Sequence, residues 1–205
     1  MSRLSWDGLI GLGFTTPEQI REHRLSLIDQ IKLHNSLREL GLRNQFSYYA
    51  NDKDGFFNLG GLNEKFADKQ INWIVGKNKE GYWSSRLSSV EIGGIPYRQE
   101  CDAIFDTGTL MTYVPTSVYD RLWSAGCSVP DVTLVFGETR LPLKKEALVS
   151  ATTTNECSYT FAPEPGSLRS ELKQECWTLG YAWFASYPTI FDWEGDEPLL
   201  GFLVV

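Results

Sequence analysis

Metal-binding residues are scarce in this chain. There are two histidines, His23 and His34, and four cysteines at 101, 127, 157 and 176, with no Cys-x-x-Cys pair. A structural zinc site is therefore not expected. Long apolar runs are also missing: none approaches the ~18 residues that a membrane-spanning helix requires. Positive charge is in deficit, with 19 Lys and Arg against 26 Asp and Glu and a formal net charge of −7. The basic footprint of a duplex nucleic-acid binder is absent, and phosphate backbones are poor candidate partners. No internal repeat or low-complexity tract is present. Met1-Ser2-Arg3-Leu4-Ser5-Trp6 opens without the charged and then apolar regions of a secretory leader, so either an intracellular chain or a natural start further upstream is expected.

What is present describes an ordinary globular chain of 205 residues, 42% apolar and 22% charged, long enough to bury one sizeable core or two small ones. Seven Trp, nine Tyr, eleven Phe and 18 Gly favour strands and tight turns, so the fold class is mainly β. Asp7 to Phe14 alternates glycine with large apolar residues, as a buried strand passing close to another backbone would. Thr16-Pro17-Glu18-Gln19 carries a cap, a proline at the first helical position and glutamine at the third. A helix is expected to start there, with Ile20, Leu27, Ile28 and Ile31 on one face and both histidines on its solvated side. From Gln45 to Gly94 short aromatic and β-branched runs alternate with Asn-Asp-Lys-Asp-Gly, Gly-Lys-Asn-Lys-Glu-Gly and Gly-Gly, which are hairpin signals. Beyond Tyr97 a short helix near Pro115–Trp123, strands around Val132–Phe136 and a strand-rich end from Trp177 to Val205 are expected, giving two short helices in all.

One motif carries a mechanism. In Ala103-Ile104-Phe105-Asp106-Thr107-Gly108-Thr109, an aspartate ends an apolar strand and is followed by a small hydroxyl residue and glycine. Backbone N–H groups of a tight loop can then hold its carboxylate, and such donors favour the ionised form. Taken alone, the tripeptide is equally a turn aspartate.

The surroundings of that motif matter. Asp7-Gly8-Leu9-Ile10-Gly11-Leu12-Gly13, Leu59-Gly60-Gly61, Ile71-Asn72-Trp73-Ile74, Gly81-Tyr82-Trp83 and Val90-Glu91-Ile92-Gly93-Gly94 occur in that order. They are followed by Asp106-Thr107-Gly108-Thr109, Trp177-Thr178-Leu179-Gly180, Phe184, Thr189-Ile190-Phe191-Asp192 and Leu200-Gly201-Phe202. In order and spacing these segments resemble the last two thirds of a pepsin-like aspartic protease. The resemblance implies a C-terminal lobe with an incomplete N-terminal lobe, residues 1–72 being the tail of the first lobe with inter-lobe strands and 73–205 the second lobe. It implies a catalytic Asp106 in a loop held by Thr107 and Thr109, with Gly108 allowing close approach of a partner loop. Tyr82, Ile104 and Thr109 would line the substrate cleft, core packing being the equal alternative for them. Cys127 and Cys157 would form the second-lobe disulfide. Cys101 and Cys176 are expected as buried free thiols, with their pairing to each other left open.

The resemblance further implies a peptide or protein substrate, no metal or organic cofactor, and a secreted, lysosomal or vacuolar setting. Departures accompany the matches. The family's first catalytic loop and its flap belong before Trp6, Leu110 stands where serine is usual, Tyr113-Val114 where Thr-Gly is usual, and Tyr181 where aspartate is usual. Three readings follow. The chain supplies one aspartate of an endopeptidase whose first lobe lies in the same polypeptide or in a separate chain; or two copies of Asp106 meet in a homodimer; or the lobe is a catalytically inactive binding or structural module.

Overall fold

The computed structural model describes residues 8–151, 157–165 and 176–203. Asp7 and residues 204–205, to which the expected first and last strands extend, lie outside them.

The front of the chain departs from expectation twice. Residues 8–14 form no strand, and Leu9 and Ile10 are exposed. Among the described residues no strand pairs with this segment, and an apolar run without a ladder partner cannot be a buried strand. The close backbone approach does occur at one point. Phe14 N–H donates to Gly81 O at 2.8 Å, and a Cβ on Gly13 would stand 2.6 Å from that same oxygen.

The single expected helix is two short ones, α1 (Pro17–Arg21) and α2 (Leu27–Leu33). The capping box at Thr16 forms, with Thr16 Oγ1 accepting from Gln19 N–H and Gln19 Oε1 accepting from Thr16 N–H. Helix α1 then closes on a left-handed His23 (φ 55°), with His23 N–H bonded to Ile20 O and Arg24 N–H to Gln19 O. That is a Schellman stop with histidine in place of glycine. Ser26 N–H donates to Thr15 Oγ1 rather than to a helical carbonyl, and the Ser26 side chain caps α2 through Asp29 N–H. Local side-chain bonds therefore outcompete a continuous helix. Both histidines are exposed.

Two sheets follow. The first orders as β2 (Gly55–Leu59), β1 (Gln45–Ala50), β14 (Thr189–Asp192), β15 (Leu199–Leu203) and β3 (Ile71–Val75), all antiparallel, so the chain's last strands sit between its first ones. Register places Leu59, Phe46, Phe191, Leu200 and Ile74 in one row. Phe46 and Phe191 stack at 4.4 Å, and Trp83 meets both edge-on. The opposite face buries Ile190 and Leu203 with Phe66. The boundary expected at 72/73 falls inside β3.

The second sheet runs β12 (Phe161–Pro163), β7 (Thr112–Val114), β13 (Thr178–Leu179), β6 (Ile95–Phe105), β5 (Tyr82–Ile92), β8 (Val132–Phe136) and β9 (Thr139–Leu143), with β4 (Lys77–Lys79) also on β5. The runs Tyr82–Leu87 and Val90–Ile92, separate in the sequence reading, are one strand bulged between Leu87 and Ser89. Gly93 and Gly94, both at positive φ (61° and 76°), make the tight turn into β6. A two-stranded ribbon, β10 (Val149–Ala151) with β11 (Cys157–Tyr159), stands beside it.

Helix α3 (Thr116–Ser124) forms where expected. Two helices were not foreseen: α4 (Lys145–Leu148) and α5 (Tyr181–Ser186), the latter inside the region read as all strand. Helix α5 is buried nearly throughout, because Trp183 packs against Phe105, Phe136 and Phe202. An apolar run carries no amphipathic signal when every face is covered.

The cysteines also need a correction. Cys127–Cys157 is bridged, at a Cα separation of 5.5 Å. Cys101 and Cys176 are buried but are not free; they form a second disulfide, at 5.7 Å. The parallel pairing of β13 with β6 brings these residues together, a contact 75 positions apart in sequence.

Candidate functional site

Asp106 follows the last residue of β6 and faces away from the core. Its N–H donates to Leu179 O of β13 at 3.1 Å, so the loop starts from a paired strand end. The carboxylate is held from two sides. Gly108 N–H donates to Oδ1 at 2.9 Å, and the Thr109 hydroxyl donates to Oδ2 at 2.5 Å. With one donor on each oxygen, the loop fixes both oxygens in place. Thr109 O in turn accepts from Tyr181 N–H at 3.0 Å, which seats the loop on the start of α5. Gly180 is essential to that seating: a Cβ there would collide with the carbonyl oxygens of Thr109 and Met111.

The Tyr181 hydroxyl donates to Asp52 Oδ1 at the tip of the β1–β2 hairpin. That bond, together with burial and the Asp52 charge, pushes the phenol up to about 12. Tyr181 thus ties the Asp106 loop to the first sheet with its backbone on one side and its ring oxygen on the other.

Asp106 borders two concavities. The larger, about 630 Å³, lies between the Asp106–Gly108 loop, Phe14 and the exposed Leu9 and Ile10. The smaller, about 210 Å³, is lined by Tyr82, Ile104, Asp106, Thr109, Tyr113, Pro165 and Thr178. Register explains that second group. Ile104 pairs with Thr178, and Thr178 pairs with Tyr113, so three neighbouring strands present one row of side chains to the same face. Asp106 is two residues beyond Ile104 and shares that face by strand alternation.

The structure therefore gathers Asp106, Thr109, Tyr82 and Ile104 around one pocket. Ile104 is 1% exposed, so it forms the pocket's floor rather than an open contact. Gly108 touches the carboxylate, and Thr107 is exposed on the larger cleft. Sequence reasoning missed Thr178 and Pro165 as pocket residues and saw in Tyr113 only a departure. The available signal was the row itself, but it needs the β6–β13–β7 pairing. Among the described residues no cluster of three or more His, Cys, Asp or Glu side chains could hold a metal, and no helix is long and apolar enough to cross a membrane.

The Asp-Thr-Gly-Thr loop thus leaves a strand with a parallel neighbour on one side and an antiparallel one on the other, and borders two clefts of a mainly β protein. The family model described as Eukaryotic aspartyl protease matches residues 1–202, and the chain belongs to that family. It is 24% identical to plasmepsin VII of Plasmodium falciparum (isolate NF54), an alignment covering 99% of this chain and 54% of that protein. It is 28% identical to pepsin A of Sus scrofa and 26% identical to cathepsin D of Homo sapiens, over 91% and 94% of this chain. Each of those alignments covers 51% of the relative, so the chain spans about half the length of the curated relatives it matches.

Proposed function

We propose that this chain supplies one carboxylate, Asp106, of a two-aspartate endopeptidase site. The observation that carries the reading is the double anchorage of that carboxylate by Gly108 N–H and Thr109 O–H at the junction of two clefts. Two carboxylates about 3 Å apart cannot both ionise, so the pair shares one proton. The ionised member takes a proton from the attacking water while the protonated member donates to the peptide carbonyl. Carboxylates and water suffice for this chemistry. The second aspartate comes from a first lobe in the same polypeptide or in a separate chain. On this reading residues 1–72 are the tail of that lobe with inter-lobe strands, and residues 73–205 are the second lobe. The exposed Leu9 and Ile10, beside a cleft that Asp106 borders, support a missing neighbour on that side. The substrate is a peptide or unfolded protein. Two disulfides favour an oxidising compartment, secreted or lysosome-like.

The test is cleavage of an unfolded protein at pH 3–6, with and without pepstatin, by this chain alone and by the chain joined to its first lobe. The joined protein is expected to show pepstatin-sensitive turnover, and Asp106→Asn to lower it by roughly 10²–10⁴-fold or more. The chain alone should be inactive. Turnover by the chain alone would point instead to a homodimeric dyad, which solution mass would reveal. A joined protein that folds but never cleaves would support the catalytically inactive binding module, for which Tyr181 and the exposed Leu110 are the relevant departures.

A further inference from the structure

Asp52 and Tyr181 meet across 129 positions of sequence, one at the tip of the β1–β2 hairpin and the other on the first residue of α5. The hairpin tip is a built turn. Asn51 Oδ1 accepts from Lys53 N–H and Asp54 N–H, both at 2.8 Å, and Asn51 Nδ2 donates to the Tyr49 hydroxyl at 2.5 Å. Lys65 pairs with Asp54 at 2.7 Å, while Asp52 takes the phenol. That phenol, pushed up to about 12, keeps its proton at any pH used to assay a peptidase and so remains a donor.

From Tyr181 a short chain of bonds runs to Asp106. Tyr181 N–H donates to Thr109 O at 3.0 Å, and the Thr109 hydroxyl donates to Asp106 Oδ2 at 2.5 Å. A Cβ on Gly180 would stand 2.4 Å from Thr109 O and 2.3 Å from Met111 O, so the loop and the start of α5 are in backbone contact and shift together. Core packing holds the middle of α5, where Trp183 lies against Phe105 and Phe202. Its first residue is only partly buried, and the phenol fastens that end to the first sheet.

We infer that Tyr181 is a positioning residue: its phenol, anchored on Asp52, sets the place of the Thr109 hydroxyl and through it the orientation of the Asp106 carboxylate. This rests on the reading of Asp106 as a peptidase carboxylate. Displacing a reacting group by about 1 Å can cost roughly 10²-fold in rate. Here Gly108 N–H still holds Oδ1 when the phenol is lost, so the expected cost is smaller.

The experiment uses the chain joined to its first lobe, with folded sites counted by pepstatin titration so that kcat refers to competent molecules. Tyr181→Phe keeps the ring and the backbone and removes only the hydroxyl. It should lower kcat roughly five- to tenfold, with KM within about twofold of wild type. Asp52→Ala should do the same, and Asp52→Asn, which keeps an acceptor oxygen, should recover most of that loss. Tyr181→Phe combined with Asp52→Ala should lose no more than either alone, because both remove one bond. Wild-type kcat in Tyr181→Phe, losses that multiply in the double variant, no recovery in Asp52→Asn, or a change confined to KM overturn the inference and leave the peptidase reading standing. So does a fall in the urea midpoint with kcat per titrated site unchanged, which marks a contact that only stabilises. Absence of cleavage by the wild-type joined protein overturns the reading of Asp106, and the inference with it.

Discussion

Replacing Cys101 and Cys176 together by alanine removes the bridge that pins β6 to the entry of β13. Asp106 follows the first of these strands and Thr178 lies in the second, and the Ile104 N–H to Trp177 O bond of 2.9 Å lies three residues beyond Cys101. The separation of 75 residues overstates the loop being closed, because the Cys127–Cys157 bridge, spanning 30, lies within it. With that inner bridge intact, the outer one closes roughly 45 residues of chain, which on the chain-entropy account contributes about 4 kcal/mol. The inner bridge contributes about 3.5 kcal/mol. Against the 5–15 kcal/mol that is typical of a domain's net stability, the outer bridge is a large fraction. Urea unfolding followed by tryptophan fluorescence should show the midpoint falling by about 2 M for a slope of about 2 kcal/mol per M. Exposure adds a second readout. Cys101 and Cys176 are each 2% exposed, whereas Cys127 is exposed, so mild reductant acting on the folded protein should open Cys127–Cys157 first. A midpoint shift under about 0.5 M at unchanged slope, or first reduction at Cys101–Cys176, would refute this account of the bridge.

Two further perturbations test the seating of the loop and a contact beside the first sheet. Gly180→Ala drives a methyl into the carbonyl oxygens of Thr109 and Met111; a loss of roughly 3 kcal/mol or more in urea unfolding is expected, and stability within 1 kcal/mol of wild type would contradict the close approach. Glu194 accepts from Asn44 N–H at 2.9 Å and pairs with Arg38, and these contacts hold its carboxyl below the ordinary 4.5. A depressed folded value stabilises the fold above the unfolded one and is lost as pH falls through the folded one. Glu194→Gln should therefore lower the urea midpoint at pH 7 and lose that deficit progressively below about pH 4.5. A deficit that is the same at pH 7 and pH 3 would show that the contact works by packing alone.

Much of the strand content was legible because its signals are local. Phe46 to Tyr49, Ile71 to Val75 and Val132 to Phe136 are β-branched or aromatic runs bounded by turn residues, and each is a strand. The capping box at Thr16 was equally legible, since it is complete within four residues. The stop at His23 was not, because the competing bond from Ser26 to Thr15 spans eleven positions and shows only when the chain folds back. Helix α5 escaped because its neighbours come from β6, β8 and β15, so burial on all sides erased the period that marks a surface helix.

For the site, sequence by itself determined the loop: Asp106, the glycine amide and the threonine hydroxyl that hold it lie within four residues, and order along the chain identified the family. Tertiary structure alone decided what surrounds that loop. The parallel docking of β13 on β6 brings Thr178 beside Ile104, closes the Cys101–Cys176 bridge and sets Tyr181 between Thr109 and Asp52. Those partners are separated by about 70 to 130 positions, and no local propensity encodes a contact whose closing depends on two sheets packing around a shared core.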